Sequence, residues 1–221
     1  MAEASPGGTQ LVIFDCDGVL VDSEPIATRV LGAALRAEGL RMADEEVHRT
    51  FLGLTFPRTI EIVEARLGRA LPPDFTEQVQ AQTFEEFRAD LDAMPGIEET
   101  LDRLRVPYCV ASSGEPEKMR CTLGRTGLLE RFEGRMFSAS EVTHGKPAPD
   151  LFLHAAARMG ARPERTVVVE DSVAGVAAAR AAGMRVFGYA PAGDGAELEA
   201  AGATLLRDLR ELPAWIGGGD P

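Results

Sequence analysis

The apolar positions of the chain fall into two patterns. Short continuous apolar runs stop abruptly at polar residues, and longer stretches repeat their apolar positions every three or four residues. The run Leu11 to Phe14 ends at Asp15, as a buried parallel strand ends. Runs at 106–111, 135–137, 166–169 and 185–189 have the same form, and 203–206 is a weaker one. Helical patterns fill the intervals. The stretch 115–126 has Pro116 placed to open it, and 149–159 has Pro149 in its first turn. A third, 172–182, runs from Ser172 as N-cap to Gly183 just past its end. Strands alternating with helices at this spacing predict a doubly wound, mostly parallel α/β sheet.

One region departs from the alternation. Helices are expected at 24–38, 44–50, 57–68 and 74–91, with no convincing strand between them. Gly39, a loop containing Gly53, Gly68 and Pro72-Pro73 punctuate the pieces. An all-helical subdomain at 24–91 is therefore inserted after the first strand, and residues 1–23 with 92–221 form the α/β core. Residues 1–9 read as a frayed tail, and the only low-complexity stretch is the closing GGGDP.

Composition narrows the function classes. With 221 residues and 45% apolar content the chain can bury a sizeable core, so disorder is a poor reading. Its net charge of −12 argues against a nucleic-acid partner and against an anionic membrane surface. No apolar run approaches the roughly 18 residues of a membrane span, and the first ten residues do not read as a signal peptide. Cys16, Cys109 and Cys121 have no metal-like spacing and read as free thiols, which points to the cytoplasm. His48, His144 and His154 are scattered, so a zinc site is improbable.

The chemistry is concentrated at strand ends. In an open α/β sheet ligands bind beyond the C-terminal ends of the strands. There the sequence places Asp15-Cys16-Asp17-Gly18, Ser112-Ser113-Gly114, Gly145-Lys146-Pro147 and Glu170-Asp171-Ser172. Four carboxylates, a hydroxyl and one lysine would converge. Two like charges about 4 Å apart repel by about 4 kcal/mol at an effective dielectric near 20. A hard divalent cation removes that cost, and Mg²⁺ suits carboxylates combined with phosphate. Helices opening near Glu115 and Ser172 would aim their N-termini at such a phosphate. The bland alternative, that Asp-x-Asp-Gly is only a turn, loses force beside the three further clusters. Ser113 is read as a cap of the following helix before a catalytic group, Asp150 as a helix cap or orienting group, and Cys16 as packing facing away from the site.

At these residues the chain resembles the haloacid dehalogenase-like superfamily, in its helical-cap subgroup of β-phosphoglucomutase-like enzymes and sugar-phosphate phosphatases. Four ordered motifs carry the resemblance: FDCDGVLVDSE (14–24), VASSG (110–114), GKPAPD (145–150) and VVVEDSVAG (167–175). It implies a Rossmann-like core and a helical cap that sets specificity by closing over the phosphate. Asp15 would be the nucleophile that forms an aspartyl-phosphate, and Asp17 the general acid and base. Ser112 and Lys146 would bind the phosphoryl group. Mg²⁺ would be held by Asp15, the Asp17 carbonyl and Asp171, with Glu170 direct or through water. Ser113 and Gly114 would assist in phosphate binding, and Arg49, Gly53, Thr55 and Arg58 would contact the leaving group. With 21 arginines and only two lysines, a lysine at position 146 suggests a need for a compact charge.

Within the superfamily, the DxD pair disfavours a dehalogenase. The absence of lysine from 24–91 excludes the Schiff-base phosphonatase. Ala27 stands where the mutase has its histidine, and Phe56 where it has a cap arginine, so a phosphatase is favoured over a phosphosugar mutase. A non-catalytic phosphate-binding relative ranks last, because Asp15, Asp17, Lys146 and Asp171 are all present. The expected partner is a small phosphorylated metabolite, a sugar phosphate or a sugar-acid phosphate such as 6-phosphogluconate. The chain is expected to be a monomer or weak dimer.

Overall fold

The computed structural model describes residues 8–51 and 54–217. They divide into two compact units, one of residues up to 22 and from 92 onward, the other of residues 23–91.

The first unit is built on β1 (Leu11–Phe14) and, in the second unit, the chain continues through α1 (Glu24–Ala37), α2 (Asp44–Phe51), α3 (Phe56–Leu67) and α4 (Phe75–Asp90). Returning to the first unit, it forms α5 (Ile97–Arg103), β2 (Tyr108–Ser112), α6 (Pro116–Arg125), α7 (Leu129–Phe132), β3 (Met136–Ser138) and α8 (Asp150–Arg158). There follow β4 (Thr166–Glu170), α9 (Val173–Ala181), β5 (Arg185–Tyr189), α10 (Ala196–Ala200), β6 (Thr204–Leu206) and α11 (Leu212–Gly217). The strands form one parallel sheet in the order β3-β2-β1-β4-β5-β6. The order turns back on either side of β1, so the crevice at its C-terminal end is a topological switch point. This is the doubly wound α/β fold that the alternation of patterns predicts.

β1 is central, with Ile13 in register with Cys109 on one side and Val168 on the other. All four of its residues are buried, as are those of β4. Such strands read as unbroken apolar runs because both faces are covered. One covering layer is α8 and α9, whose Leu151, Phe152, Ala155, Ala156, Val176, Ala178 and Ala179 join Leu11, Ile13, Cys109 and Val168 in a single core. The small alanines of α9 allow it to lie close on the sheet.

The helical unit is explained by its periodicity. α4 buries Phe75, Val79 and Phe87, positions spaced by whole helical turns, and α1 buries Ile26, Val30 and Leu35. α1 packs on both α2 and α4, and Arg29 reaches Glu86 on α4 at 2.9 Å. No helix among the described residues is long and apolar enough to cross a membrane.

Several boundaries differ from the sequence reading. β2 begins at Tyr108 rather than 106, since Pro107 has no N–H to give the ladder, although its carbonyl accepts from Val12 N at 3.0 Å. β3 is Met136–Ser138, and β4 gains Glu170, which is in register with Gly188. Pro149 is the N-cap of α8 instead of lying in its first turn. The short α5 lies outside the expected elements. Of the supposed N-terminal tail, residues 1–7 lie outside the described residues, whereas the Gly8 carbonyl accepts from Arg165 Nε at 2.8 Å. Within GGGDP, residues 218–221 lie outside them too.

Candidate active site

The end of β1 is fixed before any side chain acts. Asp15 N donates to Val169 O at 2.9 Å, so the sheet ladder still holds the backbone one residue past the strand. The Asp15 side chain therefore emerges at the sheet edge in a fixed position, nearly buried. Beyond it the chain turns tightly: Gly18 N donates to Val21 O, and Leu20 N to Cys16 O, both at 2.9 Å. Gly18 has φ +73, and a Cβ built there would fall 1.9 Å from Asp171 Oδ2. Only glycine meets both demands without strain.

Lys146 reaches this edge from the loop after β3. Its Nζ donates to Asp15 Oδ1 at 2.7 Å and to Glu170 Oε1 at 2.5 Å, and lies 5.0 Å from the centre of the Phe152 ring. The Lys146–Pro147 peptide bond is cis. The Glu170 side chain is fully buried at the end of β4. Its second oxygen, Oε2, accepts from Ser172 N at 2.9 Å and from Ser172 Oγ at 2.8 Å. Ser172 Oγ in turn accepts from Gly175 N at 3.0 Å and caps α9, as its position in the sequence predicts. A Cβ at Gly175 would lie 1.9 Å from Glu170 Oε1, so this carboxylate also depends on an absent side chain.

Burial decides the electrostatics. It pushes the Asp15 carboxyl up; Lys146 draws it back, while Glu170 and Asp17 raise it again, to about 7. Burial alone would lower Lys146, but the charges of Asp15 and Glu170 outweigh it and hold the ammonium above its usual range. Asp15, Glu170 and Asp171 each offer an oxygen within 4.8 Å of the others. When all three are ionised, the single ammonium leaves two negative charges uncompensated. An all-oxygen donor set with that deficit suits a hard divalent cation such as Mg²⁺. The absence of a side chain at Gly18 leaves the space that the Asp171 carboxylate of this donor set occupies.

On the other side of β1, Ser112 is buried at the end of β2 and its Oγ accepts from Gly114 N at 3.0 Å. Neither Ser112 nor Ser113 caps α6. Pro116 occupies its first turn and makes Glu115 the N-cap, so the expectation that Ser113 caps this helix is corrected. Ser113 is exposed and Gly114 half-buried. Cys16 is buried with Sγ 3.8 Å from Thr122 Oγ1 on α6, in a packing position. Asp150 opens α8 and pairs with His144 at 3.1 Å.

Asp17 is placed differently from the other carboxylates. Its Oδ2 accepts from Lys118 Nζ on α6 at 2.8 Å. The sequence motifs place one lysine at the sheet edge, and the structure has two there. Lys118 lies in no motif, and the signal that could have found it is the scarcity of lysine itself. In the helical unit, Arg49 is exposed near the end of α2, and exposed Thr55 is the N-cap of α3. Exposed Arg58 pairs with Glu61 at 2.7 Å. Gly53 lies outside the described residues.

Known proteins resemble the chain over most of its length. Residues 9–183 match the family model of haloacid dehalogenase-like hydrolases. The chain is 33% identical over 205 residues to 6-phosphogluconate phosphatase of Escherichia coli, covering 92% of this chain and 93% of that protein. It is 32% identical over 209 residues to a phosphorylated carbohydrates phosphatase of Thermotoga maritima, covering 92% and 96%. Among solved structures, a hydrolase of the same family from Deinococcus radiodurans, with phosphate and sodium bound, superposes with a TM-score of 0.82 at 33% identity, covering 96% of each chain.

Proposed function

The chain belongs to the haloacid dehalogenase-like hydrolases, and from that premise we propose that it is a Mg²⁺-dependent phosphatase of a small phosphorylated sugar or sugar acid, 6-phosphogluconate foremost, working through an aspartyl-phosphate in the cytoplasm. The observation that carries this reading is the buried Lys146 bridging Asp15 and Glu170, with Asp171 alongside. Such a cluster is costly for stability, and a site for a phosphoryl group accounts for it. The substrate class is supported by the two curated relatives, whose names refer to phosphorylated sugars or sugar acids.

Asp15 attacks phosphorus, and Asp17 protonates the departing alkoxide. Asp17 then takes a proton from water as the water oxygen attacks the aspartyl-phosphate, which releases phosphate and restores Asp15. Lys146 holds Asp15 in place and offsets charge on the transferring group. Ser112 Oγ, oriented by the Gly114 N–H, donates its proton to a phosphoryl oxygen, with Ser113 offering its backbone N–H and Gly114 shaping the turn. Asp15, Asp171 and the Asp17 carbonyl would hold Mg²⁺, which when bound supplies Lewis-acid neutralisation of phosphoryl charge. Both Glu170 oxygens already serve Lys146 and Ser172, which favours an orienting role, with any contact to the ion made through water.

The helical unit, residues 24–91, selects the leaving group. Arg58 is already engaged by Glu61, so Arg49 is the stronger candidate for the sugar-acid contact, with Thr55 and Gly53 beside it in sequence. The test is phosphate release from hexose phosphates, 6-phosphogluconate and β-glucose 1-phosphate, in Mg²⁺ or EDTA, by wild type and Asp15→Asn. Mg²⁺-dependent release that the variant loses supports the reading. Conversion of β-glucose 1-phosphate to glucose 6-phosphate without net release would make the protein a mutase.

A further inference from the structure

Both lysines of the chain stand on carboxylates of the Asp-x-Asp motif: Lys146 on Asp15, and Lys118 on Asp17. The first is accounted for by the phosphoryl site, and the second is not. Lys118 is the third residue of α6, in the first helical turn. A cation there faces the positive end of the helix dipole, so helix stability does not explain it. Arginine serves nearly every other basic position, yet here the sequence has the compact single-point charge.

The surroundings hold Lys118 in this place. A Cβ at Gly114 would come within 3.3 Å of Lys118 Cδ and of Ser112 Oγ, and within 3.9 Å of Asp17 Oδ2. The lysine stem therefore passes over the Ser112–Gly114 turn to reach Asp17. The carbonyl of Lys118 accepts from Thr122 Oγ1 at 3.0 Å, which secures the backbone of that turn. Only 32% of the Lys118 side chain and 21% of the Asp17 side chain are exposed, so this pair is not a freely solvated surface contact.

We propose that Lys118 is a positioning residue that fixes the Asp17 carboxyl for proton transfer, through the 2.8 Å bond from its Nζ to Asp17 Oδ2. This rests on the acid–base reading of Asp17 given above. An ammonium is a donor only, and a carboxyl oxygen accepts whether the group is ionised or carries its proton on the other oxygen. Lys118 can therefore hold Oδ2 throughout the cycle while Oδ1 carries the proton. Oδ1 gives that proton to the leaving alkoxide and recovers one from the attacking water.

The experiment compares wild type, Lys118→Met, Lys118→Arg and Asp17→Asn in two assays. One is steady-state turnover of 6-phosphogluconate, or of the best sugar phosphate in the panel, whose alkoxide needs a proton. The other is single-turnover release of p-nitrophenolate from p-nitrophenyl phosphate, whose leaving group needs none. Lys118→Met is expected to lower kcat on the sugar phosphate by about 10–100-fold, part of the usual worth of acid–base catalysis, with KM nearly unchanged. Its p-nitrophenolate release should keep the wild-type rate, and Lys118→Arg, which keeps the charge but not its compact single-point form, should recover only part of kcat. A raised KM at unchanged kcat, an equal loss in both assays, or no loss in either would overturn the proposal. If Asp17→Asn turned over the sugar phosphate at the wild-type rate, the acid–base reading itself would fail.

Discussion

Lys146 and Asp15 are 131 residues apart in sequence and meet at 2.7 Å, with the same ammonium 2.5 Å from Glu170. One cation thus holds two buried carboxylates that would otherwise repel each other. Lys146→Met should leave both without a countercharge. Breaking a buried pair from one side costs about 3–5 kcal/mol, and urea denaturation in EDTA should show a loss of this order at neutral pH. The loss should shrink on acidification, because protonating Asp15 removes one of the two opposed charges. An unchanged denaturation midpoint would mean that the bridge bears no structural weight.

Gly18→Ala tests the turn under Asp171, one of the proposed metal ligands. The new methyl would lie 1.9 Å from Asp171 Oδ2, at a φ of +73. Asp171 must move, so Mg²⁺ affinity should fall by about 10–100-fold, the usual effect of disturbing the residues that orient metal ligands. Strain at positive φ should also cost about 1 kcal/mol of stability. Titration of Mg²⁺ against melting temperature reads both effects.

Mg²⁺ itself should stabilise the fold. At about a hundred times its dissociation constant the gain is about 2.7 kcal/mol, seen as a rise in melting temperature that EDTA reverses. Asp171→Asn removes one of the three clustered carboxylates and should abolish most of that rise. An identical rise in the variant would move the ion away from this cluster.

The buried thiols make a separate prediction. Burial pushes Cys109 up to about 12, and burial together with the charges of Asp17 and Asp15 raises Cys16 well above the ordinary thiol value. In the native protein at pH 8, half-buried Cys121 should be the thiol that reacts with iodoacetamide, and all three should react in urea. Above about pH 9 the unfolded chain loses the Cys109 proton while the folded chain keeps it. Stability should therefore fall with rising pH between about 9 and 12, the window set by these two values, and a variant with Ala at position 109 should lose that component of the slope.

The framework was legible in the sequence because its signals are local. LVIF before Asp15, or TVVVE before Asp171, shows a buried strand delivering a carboxylate within a few consecutive residues. Lys118 shows what was not legible. It meets Asp17 across 101 residues of chain, and no spacing rule connects a first-turn lysine with a turn that distant. α5 escaped for another reason: seven residues make too short a periodic pattern to stand out, and its start is set by Gly96 at φ +82. The assignment of Ser113 as a cap failed because Pro116 fixes where α6 can begin, which outweighs the general preference for serine at an N-cap.

Asp15 is the residue proposed to carry the phosphoryl group. Wild type and Asp15→Asn should be mixed with 6-phosphogluconate, or with the best substrate of the panel, in Mg²⁺ and quenched in acid within a turnover. Digestion and mass spectrometry would then locate any phosphoryl adduct. The adduct is expected on the wild-type peptide containing Asp15, with none in the variant and no turnover by the variant. An adduct on any other residue, or turnover by Asp15→Asn at the wild-type rate, would contradict that role.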